Sequence, residues 1–215
     1  MQHALADRGE AQMHSRRTFC LATLACLLPL PGAAQQAELA RISAYLNGIT
    51  TLTGRFRQTN PDNTVSEGRF YISRPGLLRF EYEVPQKVVV IADGVWVAVI
   101  DPASNQPANR YPLSETPLDI LLRDRVDLTR EGAIREVARM GDRIRVTARD
   151  PDAPENGTLS MIFTQAPIEL REWIVIDGAG ERTRVELSDI RRGVALERAL
   201  FSIEAAELVE RGPER

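Results

Sequence analysis

From Leu52 onward, apolar and polar residues alternate with a period of two, in one short run after another. Leu52, Gly54 and Phe56 alternate with Thr53, Arg55 and Arg57. Gly68, Phe70 and Ile72 alternate with Arg69, Tyr71 and Ser73, and Leu78, Phe80 and Tyr82 with Leu77, Arg79 and Glu81. Successive side chains of a strand point to opposite faces of its sheet, so each run predicts a strand with one apolar and one polar face. Turn residues punctuate the runs: Pro61-Asp62-Asn63, Arg74-Pro75-Gly76, Val84-Pro85 and Asp101-Pro102. Asp93-Gly94 lies between apolar runs at 88–91 and 95–100, a strong signal for a two-residue hairpin.

The same pattern resumes further on. Runs at 134–139 and 144–148 flank Gly141-Asp142; Leu159, Met161 and Phe163 alternate; runs at 170–176 and 183–190 flank Asp177-Gly178-Ala179-Gly180. A short last strand is expected at 201–203, and the polar tail from about residue 205 is expected to be loose.

Two segments carry a helical period instead. Over 35–47, Leu39, Ile42 and Leu46 recur at three- and four-residue spacing, and Gly48 ends the pattern. Thr116-Pro117 reads as an N-cap hydroxyl followed by proline at the first helical position, with Leu118, Leu121 and Leu122 as the apolar face. Half-apolar strands must cover their apolar face. The expected fold is therefore mainly β (α+β): a long antiparallel meander, strongly curved into a barrel-like sheet, with helices plugging its concave side and room there for a ligand.

The start of the chain reads differently. Ser15-Arg16-Arg17-Thr18-Phe19 precedes an apolar run from Cys20 to Leu30, followed by Pro31-Gly32-Ala33-Ala34. A basic start, a short apolar stretch and small residues make a secretory signal over 1–34, with cleavage after Ala34 and Met13 as an alternative start. The Arg pair fits a twin-arginine signal in part and an ordinary Sec signal equally. Residues 35–215 are then one exported domain, because 215 residues in all allow no second comfortable core.

Removing that segment removes both cysteines, Cys20 and Cys26, and both histidines, His3 and His14. A Ser-His-Asp triad, a thiol nucleophile, a disulfide and a zinc site of the usual kind are thereby excluded. No catalytic residue, metal site or cofactor is expected. Three of the 27 basic and two of the 30 acidic residues lie in the first 34, leaving a net charge of −4 from residue 35 on. That balance argues against nucleic-acid binding. Carboxylate chemistry would have to use Asp150, Asp152 and Glu155, but the surrounding Pro151, Pro154, Asn156 and Gly157 read as a solvated loop.

The stretch 46–59, Leu46-Asn47-Gly48-Ile49-Thr50-Thr51-Leu52-Thr53-Gly54-Arg55-Phe56-Arg57-Gln58-Thr59, resembles the start of the LolA family, in which an amphipathic helix leads into a strand ending Phe-x-Gln. Gly68-Arg69-Phe70, then the Arg74-Pro75 turn and the aromatic strand to Tyr82, resemble that family's most recognisable stretch. Pro85, Asp93-Gly94-Val95-Trp96 and Thr116-Pro117-Leu118-Asp119-Ile120-Leu121-Leu122 continue the likeness, which runs from about residue 46 to 122.

The resemblance implies a half-open antiparallel β-barrel with a helical lid over an apolar cavity. It further implies a chaperone for protein transport, which takes acylated lipoproteins from an ATP-driven inner-membrane exporter, shields their acyl chains and passes them to an outer-membrane acceptor. It implies that Arg74 latches the lid through hydrogen bonds to lid backbone. The cavity-lining candidates are Leu46, Leu52, Phe56, Phe70, Leu78, Phe80, Tyr82, Trp96, Leu118, Leu121 and Leu122, each of which serves equally as ordinary core. Two features depart from the family pattern: the aliphatic Val97-Ala98-Val99 and the short tail after Ile203. Competing readings are a carrier of another envelope lipid, and a lipid- or lipoprotein-sensing regulator built on the same half-barrel.

Overall fold

The structure, a computed structural model, describes residues 31–104 and 106–211. The expected signal segment lies outside these residues except for 31–34, which form the first turn of a helix, α1 (Pro31–Asn47). Eleven strands follow: β1 (Thr51–Thr59), β2 (Val65–Ser73), β3 (Leu77–Tyr82), β4 (Val89–Asp93), β5 (Trp96–Ile100), β6 (Asn109–Pro112), β7 (Ile134–Met140), β8 (Arg143–Ala148), β9 (Thr158–Gln165), β10 (Ile168–Ile176) and β11 (Arg182–Arg192). A short helix, α2 (Asp119–Leu122), lies between β6 and β7, and α3 (Ile203–Arg211) follows β11.

All strands form one antiparallel sheet in the order β6-β5-β4-β3-β2-β1-β11-β10-β9-β8-β7. Two meanders, β1 to β6 and β7 to β11, are joined where the first strand pairs with the last. The sheet does not close, because β6 and β7 remain as its edges. The result is the half-open barrel, mainly β, that the alternation and the resemblance imply.

Curvature comes from a reciprocal pairing in β1 and β2. Gly54 lies opposite Phe70, and Phe56 lies opposite Gly68. A Cβ on Gly54 would sit 2.8 Å from the Phe70 ring, and one on Gly68 would sit 2.7 Å from the Phe56 ring and 2.0 Å from the Glu81 carbonyl oxygen. Each ring thus lies over the glycine across from it, which lets the strands bend tightly while the ring covers bare backbone.

The inner face carries one apolar cluster that includes Leu39, Ile42 and Leu46 of α1, the inward residues of β1 to β3 and β8 to β10, and Ile120, Leu121 and Leu122 of α2. A second, smaller cluster lies on the outer face, where Val89, Ile91, Ala98 and Ile100 of β4 and β5 meet Phe201, Ile203 and Ala206. This corrects the expectation for the end of the chain. Residues 198–201 form a turn of 3₁₀ helix rather than a strand, and the tail expected to be loose is helical to Arg211. Burial of Phe201, Ile203 and Ala206 explains why, and Arg110 pins α3 to β6 through Glu207 at 3.1 Å. Among the described residues no helix is long and apolar enough to cross a membrane.

Candidate functional site

The connection from β6 to β7, residues 113–133, links the two open edges of the sheet and carries α2. Its apolar side chains turn inward: Leu113, Ile120, Leu121, Leu122, Val126 and Leu128 are all buried in the main cluster. The helix is shorter than Thr116-Pro117 suggests. Thr116 does not cap it; its hydroxyl donates to the Leu113 carbonyl at 2.9 Å and closes a preceding 3₁₀ turn, so helical geometry begins at Asp119.

Polar ties fasten this connection at its rim. The Arg74 guanidinium donates to the Leu46 carbonyl at the end of α1 and, at 2.6 Å, to the Arg123 carbonyl just past α2. A longer bond of 3.4 Å reaches the Asp124 carbonyl. Two residues on, the Gly76 amide donates to the Leu122 carbonyl at 2.8 Å. Gly76 has φ +79°, and a Cβ there would meet the Gly94 backbone at 2.7 Å, so this turn needs glycine. The Asn47 side chain pairs with Val126 in both directions, donating to its carbonyl at 2.8 Å and accepting from its amide at 2.9 Å. The buried Ser43 hydroxyl accepts from the Leu128 amide at 3.0 Å.

On the other side, Arg123 donates to Asp119 and to Asp150, both at 2.6 Å. Asp150 precedes β9, so Arg123 ties the lid to the far half of the sheet. Burial acts to lower the Arg123 pKa, but the hydrogen bonds and charges of Asp150 and Asp119 outweigh it and the net shift is upward. The hydrogen bond from Arg123 holds the Asp150 carboxyl below the usual range. Burial lowers the Arg74 pKa, partly offset by the charge of Asp124. Asp150, one of the three carboxylates that hydrolytic chemistry would have to use, is the anionic end of an ion pair with Arg123.

Beneath the lid lies an aromatic cluster. Phe56 packs on Phe80 at 4.5 Å between ring centroids and on Tyr82 at 4.9 Å, and Phe80 stacks on Trp173 at 5.9 Å. The Tyr82 hydroxyl donates to Gln58 at 2.7 Å, and burial pushes its pKa up to about 12 against the pull of that bond.

Of the cavity candidates, Leu46, Leu52, Phe56, Phe70, Leu78, Phe80, Leu121 and Leu122 are buried together, with Tyr82 and Leu118 half-buried against them. Trp96 is the exception. Val97 belongs to the inner cluster, so strand parity turns its neighbour Trp96 outward, where it is 41% exposed. Trp173, 1% exposed, is the inner tryptophan that sequence reasoning missed. A bulge between Leu170 and Glu172 shifts the parity of β10, so Leu170 and Trp173 both point inward although three residues apart.

Apolar side chains fill the space expected as a cavity. Hollows beside the lid measure about 10 and 30 Å³, whereas a groove of about 740 Å³ opens on the opposite face of the sheet, among Arg55, Arg69, Arg171 and Arg191. Ile120, Leu121 and Leu122 of α2 belong to the same buried cluster as Phe56, Phe70, Phe80 and Trp173.

Comparison with known proteins agrees with this arrangement. Residues 47–204 match the family described as Outer membrane lipoprotein carrier protein LolA. An outer-membrane lipoprotein carrier protein from Chromohalobacter salexigens is 30% identical over 195 residues, covering 86% of this chain and 90% of the relative. Another from Xylella fastidiosa is 32% identical over 189 residues, covering 84% and 88%. A solved Vibrio parahaemolyticus domain named for outer membrane lipoprotein sorting shares the fold at 10% identity and a TM-score of 0.52, over 81% of this chain and 99% of that one. With its open eleven-stranded sheet and the inserted α2 connection, this chain belongs to the LolA family of outer-membrane lipoprotein carriers.

Proposed function

We propose that this protein is a periplasmic carrier that shields the acyl chains of lipoproteins in the space its lid fills at rest. One observation carries the reading. Ile120, Leu121 and Leu122 of α2 belong to the same apolar cluster as Phe56, Phe70 and Phe80, whereas the ties made by Arg74, Gly76, Asn47 and Arg123 are polar and sit at the rim. Cargo and lid then compete for one surface.

The magnitudes suit a reversible carrier. Withdrawing three buried aliphatic side chains costs about 1.5–3 kcal/mol each. Each methylene of an acyl chain taken out of water contributes about 0.8 kcal/mol, so a chain of about 14 methylenes outweighs the three by a few kcal/mol. An acceptor offering more apolar surface can then take the cargo without nucleotide hydrolysis by the carrier. An ATP-driven inner-membrane exporter would load it as a monomer, and an outer-membrane acceptor would unload it.

A release assay tests this. Spheroplasts bearing a labelled lipoprotein and the cognate exporter are mixed with the purified protein and with an Arg74→Leu variant. Lipoprotein bound to the protein in the supernatant supports the reading, and altered hand-on by the variant supports Arg74 as the latch. If nothing is released, the lipoprotein reading fails, and a co-purifying lipid of another class would take its place.

A further inference from the structure

The groove of about 740 Å³ lies on the face of the sheet away from the lid and the cargo space. Strand parity places it there: its lining residues Thr53, Arg55, Arg69 and Tyr71 alternate with Leu52, Phe56, Phe70 and Ile72 of the main cluster. Two irregularities give it depth. The register of β1 against β11 shifts between Thr53 and Arg55, where Asp189 takes φ +51°, and the β10 bulge brings Arg171 to the same rim. A non-glycine residue in the left-handed region is uncommon and is kept where surrounding structure enforces it.

The charge of the groove runs against that of the molecule. The whole chain is net −3, yet the groove is lined by four arginines and one carboxylate, Asp189. Arg55 is committed to Glu83 at 2.9 Å and Arg171 to Glu169 at 2.5 Å. Arg69 and Arg191 form no ion pair among the described residues, although both line the groove and both are exposed. Tyr71 supplies a half-buried ring beside them. Two unneutralised guanidinium forks in one concave site suit an anion with several acceptor oxygens, which arginine binds bidentately.

We propose that this outer groove is a phosphoryl-group site, in which Arg69 and Arg191 bind the phosphate of an anionic lipid headgroup or of a free phosphate ester. The site is separate from the cargo space, so it stands or falls independently of lipoprotein binding.

The test uses calorimetric titration of the protein with inorganic phosphate and glycerol phosphate, and cosedimentation with phosphatidylglycerol vesicles against phosphatidylcholine vesicles. The variants are Arg69→Ser/Arg191→Ser and Asp189→Asn. Asparagine tolerates the φ of Asp189 and removes its charge, so Asp189→Asn should tighten binding several-fold, a gain that misfolding cannot mimic. The double variant should weaken binding at least about tenfold, as expected for two lost charge-assisted contacts, with its lipoprotein release unchanged. Binding confined to soluble phosphates identifies the source as a free ester; binding confined to anionic vesicles identifies it as a headgroup; either supports the site. Failure of both ligands to bind, equal binding by the double variant, no tightening in Asp189→Asn, or stronger binding of an acidic peptide than of phosphate would overturn it.

Discussion

The Arg123 guanidinium stands 2.6 Å from a carboxylate oxygen of Asp150, across the gap between α2 and the loop that leads into β9. Both side chains are about a quarter exposed, and the same guanidinium reaches Asp119 one helical turn back at 2.6 Å. A lid held on one side by Arg74 to backbone carbonyls is therefore held on the other by a charge pair. Replacing Asp150 with Asn should destabilise the closed lid by about 1 kcal/mol, seen as faster amide exchange at Leu122 and Arg123 with little change elsewhere.

That pair also has a pH signature. The folded-state pKa of Asp150 is lowered, so its contribution is present above the unfolded carboxylate value of about 3.9 and is lost as pH falls through the depressed folded value. Lid protection should hold steady from neutral pH to about pH 5 and weaken below about pH 4. In Asp150→Asn this acid-dependent part should be absent. Exchange measured across that range distinguishes the two.

Arg74 serves acceptors on two elements that diverge, the Leu46 carbonyl and the Arg123 carbonyl. A lysine carries one compact charge and cannot span both with a planar fork. Arg74→Lys should therefore leave one carbonyl without its donor, at a cost of about 1–3 kcal/mol in lid exchange, and Arg74→Leu, which leaves both without one, should cost more.

How far these features were legible in the sequence depends on what each rests on. Strand parity carries Leu52, Phe56, Phe70 and Phe80 straight from alternation to the inner face. It fails where a bulge resets it, as at Leu170 and Trp173, whereas at Trp96 it holds and turns the ring outward, because the neighbouring Val97 faces inward. Strand β6 is an edge of four residues, Asn109–Pro112, none of them buried, so it has no apolar alternation to betray it. Helix α3 buries Ile203 and Ala206 while Leu208 and Val209 are exposed, and its polar composition reads as a tail. Arg74 stood out only through the resemblance of its Arg-Pro turn; no local pattern in a sequence says which distant carbonyls an arginine will reach. Asp150 is the loop residue that its Pro and Gly neighbours imply, but no local pattern names Arg123, 27 positions away, as its partner.

The curvature of β1 and β2 depends on glycine beneath each aromatic ring. In Gly68→Ala the new Cβ would lie 2.0 Å from the Glu81 carbonyl oxygen, which is backbone and cannot step aside alone. The change should cost about 3 kcal/mol in urea unfolding, at the upper end for an added core methyl group.

The two tryptophans give separate reports of the two faces. Trp173 is buried against Phe80, and Trp96 is 41% exposed. A Trp96→Phe variant should show blue-shifted emission protected from aqueous quenchers, and an acyl ligand should perturb it. In a Trp173→Phe variant the remaining emission should be red-shifted and indifferent to the ligand.

The most direct test of the account is amide hydrogen exchange of the lid with and without a bound triacylated lipoprotein. If cargo takes the space that Ile120, Leu121 and Leu122 fill at rest, loading should remove protection at the Gly76 amide, which donates to Leu122, and at the amides of Leu122 and Arg123. Protection that stays the same or rises at those positions on loading would contradict competition between cargo and lid.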